Sequence, residues 1–381
     1  MEKIKLGDLC KPSAGQIKED EDTLIDYIDI SSVDNETKKV TGYQTITFGE
    51  APSRARKAVR RGNVLVSTVR PNLNAVALLE EDTPNVSVAS TGFCVLESKD
   101  DVDPRFILNF CKSKPFIDDM VSQATGASYP AVSDKIVRSA LVPKYSYQEQ
   151  QHISTVLDKL AGIIDDRRIE LQQLDDLIKA RFVEMFGNPV NNSKGLPEAT
   201  LPELGEFGRG VSKHRPRNDP KLLGGEYPLI QTGDVAAAEL YITDYSSTYS
   251  ELGLQQSKMW KKGTLCITIA ANIAKTAILT FDACFPDSVV GFMANDRTSN
   301  IFIHYWFSFF QAILESQAPE SAQKNINLKI LSDLKVINPS KEDQEEFVQF
   351  VEQVDKSKVV VQKALDEAQL LFDSLMQEYF G

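Results

Sequence analysis

Three histidines and five cysteines in 381 residues leave little from which to build a metal centre. The cysteines (Cys10, Cys94, Cys111, Cys266 and Cys284) are odd in number, widely spread and free of any Cys-x-x-Cys pair. That pattern excludes a zinc ribbon and a disulfide frame and fits reduced thiols in a cytoplasm. No run approaches the eighteen or so apolar residues of a membrane span, and no apolar stretch follows Met1 to Lys5, so the chain reads as soluble and unexported. A G-x-x-x-x-G-K-[S/T] phosphate loop is missing, which excludes an encoded ATP-driven motor. The Asn/Asp-Pro-Pro-aromatic turn of adenine methyltransferases is missing too. The nearest approach, Asn188-Pro189-Val190, lacks the second proline and the aromatic. Nothing in the placement of Ser, His, Cys or Asp points to a nucleophile system. The chain therefore reads as non-catalytic, with no metal and no cofactor of its own.

With 42% hydrophobic and 25% charged residues it is globular, long enough for one large core or two ordinary ones. Its net charge of −12 opposes binding to a polyanion. The charge is unevenly placed, however. Acid gathers in helical stretches such as Asp165-Asp166, Asp175-Asp176 and Glu345-Glu346, whereas Arg54, Arg56, Lys57, Arg60 and Arg61 bunch together, as do Lys213, His214, Arg215 and Arg217.

The chain is written twice. Met185-Phe186-Gly187 matches the terminal Tyr379-Phe380-Gly381, and Glu149-Gln150 matches Asp343-Gln344, each 194 residues on. Upstream of these, Leu141-Val142-Pro143 answers Val336-Ile337-Asn338-Pro339. Looser matches keep the same order: Arg60-Arg61-Gly62-Asn63-Val64-Leu65-Val66-Ser67 with Lys261-Lys262-Gly263-Thr264-Leu265-Cys266-Ile267-Thr268, and Thr91-Gly92-Phe93 with Val290-Gly291-Phe292.

Each copy divides in two. Short β-branched runs broken by Gly, Pro, Asn and Asp predict a small β-rich α+β globule. A helical stretch follows. Leu157, Leu160, Ile164, Leu171, Leu174 and Ile178 share one heptad frame, with Arg167 and Arg181 as polar entries. The same frame moved by 194 carries Val351, Val354, Lys358, Val361, Leu365, Ala368, Phe372 and Leu375, so two long helices are expected to pack as a coiled coil. The expected organisation is a globule over 1–146, a helix over 147–187, a turn-rich linker over 188–200, a second globule over 201–341 and a second helix over 342–381. Antiparallel helices would give the fold a pseudo-two-fold axis.

Laid out this way, the sequence resembles the specificity subunits of type I restriction–modification systems along essentially its whole length. The resemblance is carried by the duplicated Gly-Asn/Thr-Val/Leu strand after a basic pair, the turn Thr125-Gly126-Ala127-Ser128-Tyr129-Pro130, and Pro143 followed by Gln148-Glu149-Gln150-Gln151-His152-Ile153. The helix end Arg181 to Pro189 carries it as well. Asp343-Gln344 in place of Glu-Gln is a mild departure, and the family's extra tail is expected to be short or absent. The resemblance implies that each globule is a target recognition domain reading one half of a bipartite double-stranded DNA target. It implies that the helices set the spacer and dock two methyltransferase subunits, with restriction subunits joining them. S-adenosylmethionine and ATP would then belong to the partners. Domains about 50 Å apart would correspond to roughly 15 base pairs.

Base reading needs paired donors or acceptors, and phosphate binding needs cations. The candidates are Lys57, Arg60, Arg61, Arg70, Asn72, Asn74 and Tyr129 in the first domain. In the second they are Lys213, His214, Arg215, Arg217, Asn272, Lys275, Lys324 and Asn325. Plainer roles stand beside these. Arg60-Arg61 and Lys261-Lys262 precede a turn glycine, where solvated charge suffices, and Arg70 with Asn72 serves equally to satisfy a turn. Tyr305-Trp306-Phe307 with Phe309-Phe310 reads as helical core, and His152 and His304 as packing residues. Lys358 and Arg167 either fix helix register or snorkel to water. The competing class is a protein–protein scaffold, which the net acidity favours.

Overall fold

The computed structural model describes residues 2–13, 15–270, 273–317 and 326–381. They form two compact units, Met1–Ile169 with Gln362–Gly381, and Glu170–Val361. The first begins with strands β1 (Lys3–Lys5), β2 (Leu24–Ile28), β3 (Gln44–Thr47), β4 (Ala55–Ala58), β5 (Asn63–Ser67), β6 (Val76–Leu78), β7 (Val86–Ser90) and β8 (Phe93–Glu97). Helices α1 (Pro104–Lys112), α2 (Lys114–Gln123) and α3 (Asp134–Ser139), strand β9 (Leu141–Pro143) and the long helix α4 (Tyr147–Phe186) follow. The side chains of Asp103, Ser113 and Ser133 start the three short helices by accepting from the first free backbone N–H groups.

Three small sheets result, in the orders β3-β2-β7-β4, β6-β5-β8 and β1-β9. Only the β2–β7 pair among them is parallel. Strand β5 is buried on both faces, which is why its Val64-Leu65-Val66 run shows no alternation.

The second unit repeats this plan. It contains β10 (Glu198–Thr200), α5 (Leu201–Leu204), β11 (Gly205–Arg209), β12 (Leu223–Leu229), α6 (Thr232–Ala237), β13 (Tyr241–Ile242), β14 (Ser247–Tyr249) and α7 (Glu251–Gln255). Then come β15 (Met259–Trp260), β16 (Leu265–Thr268), β17 (Thr276–Leu279), β18 (Ala283–Cys284), β19 (Val289–Ala294), α8 (Asn300–Gln317), α9 (Leu328–Ser332), β20 (Lys335–Ile337) and the long α10 (Lys341–Phe380), each long helix giving its first part to one unit and its last part to the other. The order β14-β12-β18-β15 mirrors β3-β2-β7-β4, again with one parallel pair, β12–β18. The hairpin sheet β17-β16-β19 mirrors β6-β5-β8 and gains β11 and β13 at its edges. The pair β10–β20 mirrors β1–β9.

Each unit is closed by the start of one long helix lying beside the end of the other, so the two run antiparallel. In the first unit Ile153 and Leu157 of α4 join Leu6, Phe106, Phe110 and the last aromatic of α10, Phe380. In the second, Phe347 and Val351 of α10 join Phe302, Trp306, Ile178, Phe182 and Phe186. The repeated Phe-Gly endings are therefore plugs: the Phe380 ring lies 5.4 Å from Phe106, and Phe186 lies 5.2 Å from Phe302. Full burial of one such ring contributes about 1.5–3 kcal/mol. Along the expected frame Leu157, Ile164, Ile178, Val351, Val354 and Val361 are buried, while Leu160, Leu171, Leu174, Leu365, Phe372 and Leu375 are half-buried.

The repeated Glu-Gln and Asp-Gln pairs have a structural reason. Ser146 donates to Glu149 at 2.7 Å and Ser340 donates to Asp343 at 2.6 Å, so each helix start is capped by a serine and the acid three residues on. The glutamines are buried. Gln150 accepts from the backbone of Asp103 and donates to the Tyr145 carbonyl. Gln344 accepts from Thr298 at 2.9 Å and donates to the carbonyls of Arg297 and Pro339. In both units a glutamine thus ties the long helix to the start of a helix in the globule.

One reading is corrected: His152 is exposed on α4 and does not pack. The stretch 188–200 runs through turns and is held in place: Lys194 donates to the carbonyls of Glu184 and Met185 at the end of α4, Asn188 N–H donates to Ser193, and Glu198–Thr200 is already strand β10. Gly187 permits this sharp exit by taking a φ of +73°.

Candidate nucleic-acid interface

In the first unit β5 leaves the core and turns back into β6 through Thr68 to Asn74. Arg70 and Asn74, at either end of Pro71–Leu73, both hold left-handed backbone (φ 49° and 47°), unusual for residues with side chains. Three anchors hold the turn. Asn74 is buried and donates to the Cys111 carbonyl at 2.9 Å, its own carbonyl accepts from Lys38 at 2.7 Å, and Arg70 N–H donates to the Pro130 carbonyl at 2.7 Å. That last bond fastens the turn to the Thr125–Ala131 loop. There Tyr129 stands 69% exposed, and the Arg70 guanidinium lies 4.9 Å above its ring. Arg70, Asn72 and Tyr129 are thus brought together at the surface, with Asn74 beneath them as the anchor of the turn.

The other first-domain candidates are placed differently. Lys57, on β4, donates to Asp134 and to the Phe93 carbonyl, both at 2.6 Å, and is mostly buried. Arg60 pairs with Glu97, and Arg61 offers its backbone N–H to Asp82 at 2.7 Å while its side chain is exposed. Arg60 and Arg61 lie at the opposite end of β5 from Arg70, roughly 17 Å along the strand. Their turn recurs in the second unit, where Lys262 N–H donates to Asp282 at 2.8 Å and Lys261 pairs with the same carboxylate. The duplicated basic pairs are thus part of a duplicated turn, and the acids that complete it, Asp82 and Asp282, are too far along the chain to be suspected from sequence.

In the second unit the dense cationic segment folds onto itself. Arg215 and Arg217 both pair with Asp287, Arg215 also donates to the Ser212 carbonyl, and His214 meets Asp219 at 3.2 Å. The Lys213 side chain is exposed. Lys275 is exposed at the start of β17, on the turn that corresponds to Arg70's, and Ala274 there repeats the left-handed conformation of Asn74 with a φ of 58°. Asn272, Lys324 and Asn325 lie outside the described residues.

Sequence reasoning missed a groove of about 1090 Å³ in the first unit, between Lys38, Lys39, Lys112 and Lys114 on one wall and Ile164, Phe372 and Met376 on the other. Only the fold gathers these lysines. Burial, with Lys112 beside it, lowers the Lys38 ammonium, and burial lowers Lys112 too.

No catalytic constellation accompanies these surfaces among the described residues. The cysteines are buried, and burial pushes the Cys10 thiol up to about 11 and Cys94 up to about 12, far from thiolate chemistry. No cluster of three or more His, Cys, Asp or Glu is arranged for a metal among the described residues, and no described helix is long and apolar enough to cross a membrane.

The described residues thus form an α+β globule in two copies, each closed by parts of the two long helices and carrying polar loop tips at its surface. Residues 198–368 match the type I restriction modification DNA specificity domain. The chain is 26% identical over 145 residues to the type I restriction enzyme HindI specificity subunit of Haemophilus influenzae, covering 36% of this chain and 30% of that one. It is 23% identical over 285 residues to the EcoBI specificity subunit of Escherichia coli, covering 65% and 58%. It therefore spans less than two thirds of either relative.

Two solved structures share its fold. One comes from work on complex assembly and conformational transition of the type I restriction–modification system (22% identity, TM-score 0.65, 100% and 97% covered). The other is the S subunit of such a system from M. genitalium (14% identity, TM-score 0.58, 100% and 96% covered). Residues 198–368 thus resemble a type I restriction modification DNA specificity domain, and the chain as a whole shares the fold of these two structures.

Proposed function

We propose that this chain is the DNA-reading, non-catalytic subunit of a type I restriction–modification complex. Each unit reads one half of a bipartite duplex target. Two methyltransferase subunits dock on the long helices, and restriction subunits join that core. S-adenosylmethionine and ATP act on those partners. The reading is supported above all by the duplication: one strand order, one parallel pair, one glutamine anchor and one aromatic plug, each present twice. A double reader needs two copies of one recognition frame carrying different loops, and the loops are where the copies differ. In that frame Arg61, Arg70, Asn72, Tyr129, Lys213 and Lys275 are exposed candidates for contact, whereas Lys57, Asn74, Arg215 and Arg217 hold the loops in shape.

Selection from a randomised duplex library by the chain complexed with its methyltransferase subunits tests the proposal. A single motif of two short blocks at fixed spacing is expected. Salt-sensitive binding without sequence preference, or no binding, would return the chain to the scaffold class that its net charge favours.

A further inference from the structure

We infer that Arg70, seated on Tyr129, reads a guanine in the half-target of the first unit, an assignment that rests on the DNA-reading function proposed above. Three observations converge on it. First, three other cations of the first unit are engaged in ion pairs: Arg54 with Asp29, Lys57 with Asp134, Arg60 with Glu97. Arg70 is exposed, and its contact is with the Tyr129 ring, which consumes none of the five N–H donors that a guanidinium carries. An arginine held flat on a ring keeps its fork in one orientation at low entropic cost.

Second, the backbone beneath is over-determined. Left-handed residues at both ends of the turn, buried Pro71, the Asn74–Cys111 bond and the Arg70–Pro130 bond leave the tip no freedom to drift. Left-handed backbone at residues with side chains is costly and persists where the surroundings enforce it, as at ligand-contacting sites. Third, the chemistry is selective. A bidentate guanidinium matches the O6 and N7 acceptors of guanine in the major groove, and no other base offers two acceptors there in that spacing. The arginine is also peculiar to one copy of the repeat. The counterpart of its turn, between Thr268 and Lys275, carries Ala270, Ala271 and Ala274 and has no arginine, so the guanine dependence belongs to one half-target.

The test compares wild type with Arg70→Ala, Arg70→Lys and Tyr129→Ala, each complexed with its methyltransferase subunits and profiled on the randomised duplex library, with a thermal melt to show that each variant is folded. The wild-type motif should contain a G:C pair at a position where Arg70→Ala loses about 10- to 100-fold discrimination, with all other positions and the whole second block unchanged. Arg70→Lys keeps the charge but not the fork and should lose the same position. Tyr129→Ala should blur it. An unchanged motif in Arg70→Ala overturns the assignment while leaving the function standing. Uniform weakening over an unchanged motif, with a smaller salt slope, marks a phosphate contact and overturns it too. A wild-type complex that selects no motif overturns the function itself, and the assignment with it.

Discussion

Buried polar side chains set what single residues do here. Gln344 satisfies one hydroxyl and at least two carbonyls at the root of α10. Truncating it to alanine should cost about 2–3 kcal/mol in a urea melt, because partners left buried without water cannot recover their bonds; a loss below about 0.5 kcal/mol would show that water replaces the amide. His304 acts in the other direction. It meets Thr276 at 2.9 Å, and burial pulls it from 6.5 to about 4. The unfolded chain therefore takes up a proton between those values that the folded chain refuses, so stability falls as pH drops from 6.5 towards 4. His304→Gln should flatten that segment of the stability–pH curve relative to wild type. Equal slopes would remove His304 from the account. Its context in an apolar helix was legible in the sequence. The role of Asn74 was not: an asparagine among turn residues reads as a reader of bases, and only the carbonyl of Cys111, 37 residues away, shows it to be an anchor.

The long helices were the most legible elements, because a heptad is a local pattern and α4 and α10 bury it as spaced. Their ends were legible as repeated words, Glu-Gln and Phe-Gly, but not as capping boxes and plugs, since those depend on partners far along the chain. Lys358 illustrates the limit. Placed at a core position, it was as readily a snorkelling residue as a register device. In the fold it is mostly buried and bonded to Asp175 on α4 at 2.8 Å and to Glu239 of the second globule. Burial lowers this ammonium, but the hydrogen bonds and charges of the two carboxylates outweigh it, and the net shift is upward. Burial raises the nearby Asp355 carboxyl, with the Lys358 charge opposing. Because Asp175 and Glu239 keep access to water, Lys358→Met should change stability by less than about 1 kcal/mol, the apolar side chain offsetting the lost pairs. Lys358→Glu, adding a fourth acid, should cost more than about 2 kcal/mol. Equal effects of the two in thermal melts would show that charge is irrelevant at this position.

For the whole molecule, the sequence discloses a duplication and the fold discloses its content. The sheets were not legible strand by strand, because pairs such as β2–β7 and β10–β20 join segments too distant for any window, and the buried β5 lacks alternation. The candidate surface was legible in outline only: residue type marks cations, but whether an arginine is free or already paired with Glu97 or Asp287 is a property of the fold. A net charge of −12 is compatible with DNA binding when the acid lies on helices and exposed basic tips project from loops. The measurement that bears most directly on the double-reader account is co-expression with the partner methyltransferase in a host lacking such systems, followed by genome-wide mapping of modified bases. The account predicts one new motif of two short specific blocks around a fixed unread gap. A stable complex that adds no methylation, or methylates one uninterrupted block, would contradict it.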